Sequence, residues 1–287
     1  MQSTYTKSSN TVAIVLSYNN SYDTSRLITC LEVAGIDVFL LDNASEKLHL
    51  ENVTKVVEKS TANIFFQTEP TNHGFGGGVN FGLRFAADYK YEYAVLLNND
   101  VYFDDATLFT DCVALCSKDP KIGCIGIEHK REDGSTESLG GGVVHSLLGW
   151  GRLARRSTLF LEKETGYIMG SFFFLPVDVL KRVGLFDERY FIYFEEADYC
   201  RRIKLAGYSL ATVADKYVYH VGSATYGGKT QGFYERYSTS SSKYVAKWYG
   251  TLFAVMAFIA SAFASTVYAT RRRHLVTIVK SHIEGLK

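Results

Sequence analysis

The sequence predicts an α/β protein whose mostly parallel, Rossmann-like sheet is flanked by helices and followed by a C-terminal helical extension. Three observations predict it. Apolar runs such as "TVAIVLS" and "DVFLLD" show no polar alternation, as expected of strands covered on both faces. Stretches of helical spacing lie between them, the order of a doubly wound sheet. Each run ends in a polar tip, "SYNN", "LDNAS" or "LNND", and ligands of such sheets bind beyond the carboxyl ends of the strands.

Taken in order, "TVAIVLSYNN" (11–20) reads as a buried strand and a loop. "TSRLITCLEVAG" (24–35) is a helix through Leu27, Ile28 and Leu31, with Gly35 as its stop. "IDVFLLDNAS" (36–45) and "NIFFQTE" (63–69) are the second and third strands, "VNFGLRFAADY" (79–89) a helix and "YAVLLNND" (93–100) the fourth strand. Residues 132–157 are Gly-rich with little period and read as a flexible loop over a site or a surface insertion. "YIMGSFFFLPVDVLKRVGLF" (167–186) gives a strand to Leu175 and a short helix from Asp178 to Gly184, and "SLATVADKYVYH" a strand ending at His220. Residues 251–270 carry no charge and precede "RRRH". A helix of that length would be about 30 Å long, the thickness of a hydrocarbon core. Its many small residues, Ser and Thr make it a weak membrane span. Two regions follow: a catalytic domain over 1–240 and a helical segment over 241–287 for membrane docking or oligomerisation.

Composition excludes some classes. The chain has 287 residues and is 47% hydrophobic, enough for a large core. Lys and Arg number 31 against 30 Asp and Glu, which argues against a nucleic-acid binder. The five cysteines form no CxxC pair and no zinc pattern, so they read as small buried hydrophobes in a reducing compartment. The polar N-terminus lacks the apolar core of a secretion signal.

The chemistry concentrates in a few places. Asp100 leaves a strand end beside Asn98 and Asn99, and suits a hard divalent cation shared with phosphates; an Asx turn is the alternative. His220 ends another strand as a structural histidine or a ligand, and imidazole suits Mn²⁺ better than Mg²⁺. "NHGFGGGVNFG" (72–82) either cradles a phosphate at a helix N-terminus or uses its glycines for close packing. Val79 breaks the dinucleotide fingerprint. In "FIYFEEADYCRR" (191–202), Glu195 and Glu196 follow an aromatic run; an apolar rim and a neighbouring acid both raise a carboxylate's pKa, as a general base requires. Asp198 reads as a helix-start acid paired with Arg201 or Arg202.

The order "LSYNN", "LLDNAS", "NHGFGGGVNFG", "LLNND", "GLFDERYFIYFEEADYCRRIKLAGY" and "YHVGSAT", over about residues 11 to 225, resembles family-2 inverting glycosyltransferases of the GT-A fold. The bacterial rhamnosyltransferase-like and galactofuranosyltransferase-like members look most similar. The resemblance implies a dTDP- or UDP-sugar donor, a glycan or lipid-linked acceptor and a divalent metal, Mg²⁺ or Mn²⁺. It matches Asp42 to the nucleobase contact, and Ser17, Tyr18 and Asn19 to the same pocket. Asn72, Gly74, Asn80 and Asn99 complete the nucleotide set, and Asp100 and His220 are the metal ligands. Glu196, or its neighbour Glu195, is the catalytic base. The family's DxD motif is degenerate here, with Asn98 in its first position. Peripheral attachment to the cytoplasmic face of an inner membrane and a homo-oligomer are further expectations. A sugar-nucleotide pyrophosphorylase and a non-catalytic carbohydrate-binding relative are the competing readings.

Overall fold

The computed structural model describes residues 5–145, 149–222, 231–257, 281, 284 and 285. Its elements, in order, are β1 (Thr11–Ser17), α1 (Ser21–Ala34), β2 (Asp37–Asn43), α2 (Lys47–Lys59), β3 (Ile64–Glu69), α3 (Gly74–Asp88), β4 (Tyr93–Asn98), β5 (Val101–Tyr102), α4 (Thr107–Lys118), β6 (Ile122–Lys130), β7 (Thr136–Ser138), β8 (Gly141–His145), β9 (Trp150–Leu153), β10 (Gly166–Ile168), β11 (Phe172–Pro176), α5 (Leu180–Val183), α6 (Glu195–Leu205), β12 (Ser209–His220) and α7 (Gln231–Tyr249).

The main sheet runs β3-β2-β1-β4-β11-β6-β12-β5, with β7 added beside β6. The four N-terminal strands β3, β2, β1 and β4 are mutually parallel, β11 is antiparallel to β4 and β6, and β12 is parallel to β6. The carboxyl ends of β1, β2, β3, β4, β6 and β12 therefore share one edge, and the polar tips gather there. The topology is that of the predicted mostly parallel, Rossmann-like sheet, with β11, β5 and β7 running antiparallel to their neighbours.

Alternate residues of each strand feed two cores. Ile14, Leu41, Leu96 and Phe173 face α3 and α6, packing with Leu83, Tyr199 and Ile203. Val15, Leu40, Leu97 and Phe172 face α1 and α4, packing with Leu27, Leu31 and Phe109. Each such side chain, fully buried, contributes about 1.5–3 kcal/mol. Helix α3 lies unusually close to β1: a Cβ on Gly82 would come within 2.4 Å of Ile14 Cγ2. That close approach explains glycines in a helix that they otherwise weaken.

One expectation is corrected. The Gly-rich stretch 132–157 is not an irregular loop: it forms β7, which joins the main sheet, and β8 and β9, which with β10 make a second three-stranded sheet in the order β10-β8-β9. Its glycines allow tight strand contact, since a Cβ on Gly141 would sit 1.9 Å from the Tyr167 carbonyl oxygen. The boundary at 240/241 falls inside α7, whose two halves both pack on the catalytic body. Ser240 Oγ donates to the Ile192 carbonyl at 2.7 Å, and farther along Lys247 Nζ and Trp248 Nε1 bond the buried Asp198 carboxylate at 2.7 and 2.9 Å.

Of the uncharged tail, 251–257 is helical and the rest lies outside the described residues, as do Arg271, Arg272, Arg273 and Lys280. No helix among the described residues is long and apolar enough to cross a membrane.

Candidate active site

The loop leading into the acid pair is built by strain and packing. Tyr193 and Phe194, immediately before α6, both adopt left-handed backbone (φ 71° and 69°), at a cost of roughly 1–3 kcal/mol each. The turn persists because α7 overdetermines it. Tyr193 meets the Phe233 ring edge-on at 5.2 Å, and Phe194 meets Tyr237 at 5.0 Å and Tyr244 at 5.7 Å. The result sets Glu195 and Glu196 in the first turn of α6, where the helix dipole favours acids. Glu195 is 4% exposed, whereas Glu196 is only partly buried. The Oε2 atom of each is buried without a hydrogen bond.

Burial pushes the Glu195 carboxyl well above its ordinary range, and the adjacent Glu196 adds to the rise. Burial lifts Glu196 to about 7. The pair therefore shares one negative charge near neutrality, and Glu196 is the member able to exchange a proton. The Tyr167 and Tyr237 side chains stand within the field of Glu196, which raises both phenols further after burial has raised them. The Tyr237 hydroxyl accepts the Gly151 amide hydrogen at 2.7 Å, so β9 and α7 close over this side. Asp198 plays a structural part, paired with Arg202 Nε at 2.9 Å and clamped by Lys247 and Trp248.

One hydrogen bond ties this loop to the loop before α3. The Phe75 amide donates to the Phe191 carbonyl at 2.7 Å. Gly74 beside it has φ +71°, and a Cβ there would lie 2.1 Å from that same carbonyl oxygen. The neighbouring amides are also occupied: Gly74 N donates to Asn72 Oδ1 at 2.8 Å and His73 N to Asn43 Oδ1 at 2.9 Å. The amides of residues 73, 74 and 75 are thus all bonded to protein acceptors, which ties the start of α3 to its neighbours. Asn80 is likewise committed: its amide bonds the Phe186 carbonyl, the Phe186 amide and Glu188. Asn99 donates to the Asn20 carbonyl and to Thr24 Oγ1, and Ser17 Oγ is buried accepting from the same Thr24 hydroxyl. Asn43, a residue the motif reading passed over, organises residues 72–74.

At the tip of β2, Asp42 accepts the Ser45 amide through Oδ1 at 2.9 Å, and its buried Oδ2 has no partner. Asn19, with φ 50°, locks the β1 and β2 tips together, donating through its amide to Ser45 Oγ and accepting the Glu46 amide. An unpartnered carboxylate oxygen at a strand end is what an imide or exocyclic amine of a base would satisfy.

Asp100 and His220 are brought together by the sheet. β5 pairs antiparallel with β12, placing Val101 opposite His220, and Asp100 Oδ1 stands 3.5 Å from His220 Nε2. That Oδ1 is buried and accepts no hydrogen bond. Burial pushes the Asp100 carboxyl up, but His220 outweighs this and holds it below its ordinary value. Burial works against charge on His220, yet the Asp100 and Glu137 carboxylates lift its pKa to about 10. Glu137, missed in the sequence, receives the His220 Nδ1–H at 2.8 Å. Beneath them His129 is fully buried between the Ile127 carbonyl and Ser171, and burial followed by the His220 charge lowers it to about 3. No group of three His, Cys, Asp or Glu side chains among the described residues forms a ready metal cage. Asp100 and His220 fit a cation as a two-donor pair once His220 gives up its Nε2 hydrogen: Asp100 Oδ1 is a buried oxygen without a hydrogen bond, and the Asp100 and Glu137 carboxylates then match a divalent charge. Arg155 Nε donates to the Glu137 carbonyl at 3.1 Å, which brings a further positive charge beside this pair.

The chain is 24% identical over 233 residues to the N-acetylglucosaminyl-diphospho-decaprenol L-rhamnosyltransferase of Mycobacterium tuberculosis, in both strains CDC 1551 / Oshkosh and ATCC 25618 / H37Rv, covering 72% of this chain and 74% of the relative. The solved structure of Staphylococcus aureus TarS residues 1–349 superposes with a TM-score of 0.55 at 16% identity, over 96% of this chain and 80% of that one, a likeness of fold. The model of the glycosyltransferase-like family 2 matches residues 15–251, a span that takes in both strand-tip carboxylates, the acid pair and all of α7. The protein is thus a member of glycosyltransferase family 2, with the GT-A fold.

Proposed function

We propose that the chain transfers a hexose, with rhamnose the first choice and galactofuranose the second, from a dTDP- or UDP-linked donor to a hydroxyl of a lipid-linked glycan by one inverting displacement. The observation that carries this reading is the unequal acid pair. Glu195 is buried and held protonated, while Glu196 is more open with a pKa near 7. A base poised near ambient pH is the most effective proton acceptor. Glu196 takes the proton of the acceptor hydroxyl as its oxygen bonds to the anomeric carbon and the bond to the diphosphate breaks. Glu195, held neutral, is a poor covalent nucleophile, and a single base gives inversion. Asp42 holds the nucleobase through its free Oδ2, with Tyr18 and Asn19 lining the same tip. Asp100 and His220 would hold a divalent cation whose remaining ligands come from the diphosphate and water. Such an ion, when bound, neutralises charge on the leaving group.

The acceptor class follows from the rhamnosyltransferase relative, and with it the membrane surface as a partner. The helical stretch 251–257 leaves Leu252 and Met256 mostly exposed, beside Phe253 and Val255. This apolar rim supports peripheral docking on the inner face of a bacterial inner membrane. The neighbouring aromatics of α7 face the protein instead. Tyr244 is fully buried, and Trp248 and Tyr249 stack on the Arg201 guanidinium at 4.3 and 4.8 Å.

The test is transfer from a panel of dTDP- and UDP-sugars to a synthetic polyprenyl-diphospho-GlcNAc, with product anomers assigned by NMR. Inversion at the anomeric carbon is expected. Retention, or synthesis of nucleotide sugar from a sugar 1-phosphate and a nucleoside triphosphate, would overturn the reading.

A further inference from the structure

Glu137 has no place in the reaction just described, yet its position is built with care. β7 pairs with β6 through Ser138 opposite His129 and Thr136 opposite Lys130. Two steps along β7 thus match one along β6, and Glu137 is the extra residue of a β-bulge. Bulges kink a strand and re-aim a side chain, and they recur beside active sites. Here the bulge turns the Glu137 carboxylate onto His220 Nδ1 at 2.8 Å. Thr136 Oγ1 donates to Glu128 at 2.6 Å and Arg155 Nε to the Glu137 carbonyl at 3.1 Å, fixing the bulge on both sides. Glu137 and His220 side chains are only 20% and 12% exposed, so water competes weakly for the bond.

We infer that Glu137 is a positioning residue for the cation pair: by holding the Nδ1–H of His220, it fixes the ring so that Nε2 faces the unpartnered Oδ1 of Asp100. A carboxylate accepts and never donates here, so Nδ1 keeps its hydrogen, and Nε2 is the nitrogen that would bind a metal once the cation displaces the Nε2 hydrogen of the imidazolium. A ligand histidine oriented in this way by an acceptor loses about 10–100-fold in metal affinity when the acceptor is removed. The strand context adds a second consequence. His220 is reached from one side by Asp100 at the start of β5 and from the other by Glu137 on β7, and His129 packs edge-on against its ring at 5.7 Å. The ring has little freedom once all three are in place.

The inference rests on the proposed cation role of Asp100 and His220, and the experiment separates the two. Mn²⁺ binding is measured by electron paramagnetic resonance, with dTDP and with UDP, on the full chain and its variants, together with thermal melting. Glu137→Met keeps the side-chain bulk and removes the acceptor, so Mn²⁺ affinity should fall about 10–100-fold. Glu137→Gln still offers an oxygen to Nδ1–H and should stay within a few-fold of wild type. Asp100→Ala should abolish the binding. Equal Mn²⁺ affinity for Glu137→Met and wild type overturns the inference while Asp100→Ala still loses the ion. Unchanged binding by Asp100→Ala overturns the cation reading itself, and this inference with it. If Glu137→Met fails to fold, Glu137→Asp, whose carboxylate is withdrawn by one methylene, takes its place with the same expected loss, and wild-type affinity there is equally fatal.

Discussion

Replacing Glu196 with Gln should separate catalysis from stability in opposite directions. The amide keeps the shape of the side chain but cannot take the acceptor proton. Loss of the base should cut kcat by roughly 10²–10⁴-fold, about 3–5 kcal/mol in the barrier. Nucleotide affinity should hardly change, because Asp42 and the strand tips are untouched. Stability moves the other way. Burial raises the Glu196 carboxyl from 4.5 to about 7. A raised folded-state pKa means the favourable protonated form contributes fully below the unfolded value, and that contribution is lost as pH rises through about 7. The rise corresponds to about 3 kcal/mol of penalty for holding the charge in the fold. Glu196→Gln should therefore be more stable than wild type by up to about 3 kcal/mol near pH 8, and by close to nothing near pH 4. Initial rates of sugar transfer across pH, alongside urea melts at the two pH values, read both effects. Wild-type kcat/KM should climb with pH and level off above about 7, and the variant should lose that limb. If Glu196→Gln keeps most of its activity while Glu195→Gln does not, the base is the neighbour. If the stability difference is the same at both pH values, the buried-charge argument fails.

Gly74→Ala should destabilise by about 2–4 kcal/mol, from a left-handed φ and the clash with the Phe191 carbonyl; an unchanged melting temperature would contradict the close approach of the two loops. Asp100→Ala and His220→Ala should both weaken Mn²⁺-dependent donor binding in titration calorimetry, and chelation should slow wild-type transfer at least tenfold (one decade is about 1.4 kcal/mol); a chelator-resistant rate would shift the phosphate charge onto Arg155 or Arg156. The full chain should float with anionic liposomes, and a chain ending at Gly250, which keeps α7 whole, should not; both staying in the soluble fraction at low salt would leave self-association as the role of the tail.

The strands of the parallel half were legible because their burial on both faces writes an unbroken apolar run, a local signal needing no partner. The polar tips and the acid pair were legible for a similar reason: Asp42, Asp100, Glu195 and Glu196 stand out against apolar neighbours. What stayed hidden depends on partners far away in the chain. β7 to β10 are short and glycine-rich, and only their mutual pairing makes them strands. Glu137 becomes a bulge residue only when β6 is laid beside it. Asn72, Gly74, Asn80 and Asn99 carried motif positions, yet their hydrogen bonds go to Asn43, Phe186, Asn20 and Thr24, which no spacing rule links to them. The turn of Trp248 and Tyr249 toward Arg201 was equally invisible, since an aromatic beside an apolar stretch looks the same whether it meets lipid or protein.

The pairing of β12 with both β6 and β5 has a bearing on how the protein comes to life during synthesis. Asp42 leaves β2 and Asp100 follows β4, both in the N-terminal half, whereas His220 comes beside Asp100 only when β12 slots in between β6 and β5. Contacts across such sequence separation are slow to form. In a growing chain the tips of β1 and β2 can therefore assemble well before Asp100 meets His220.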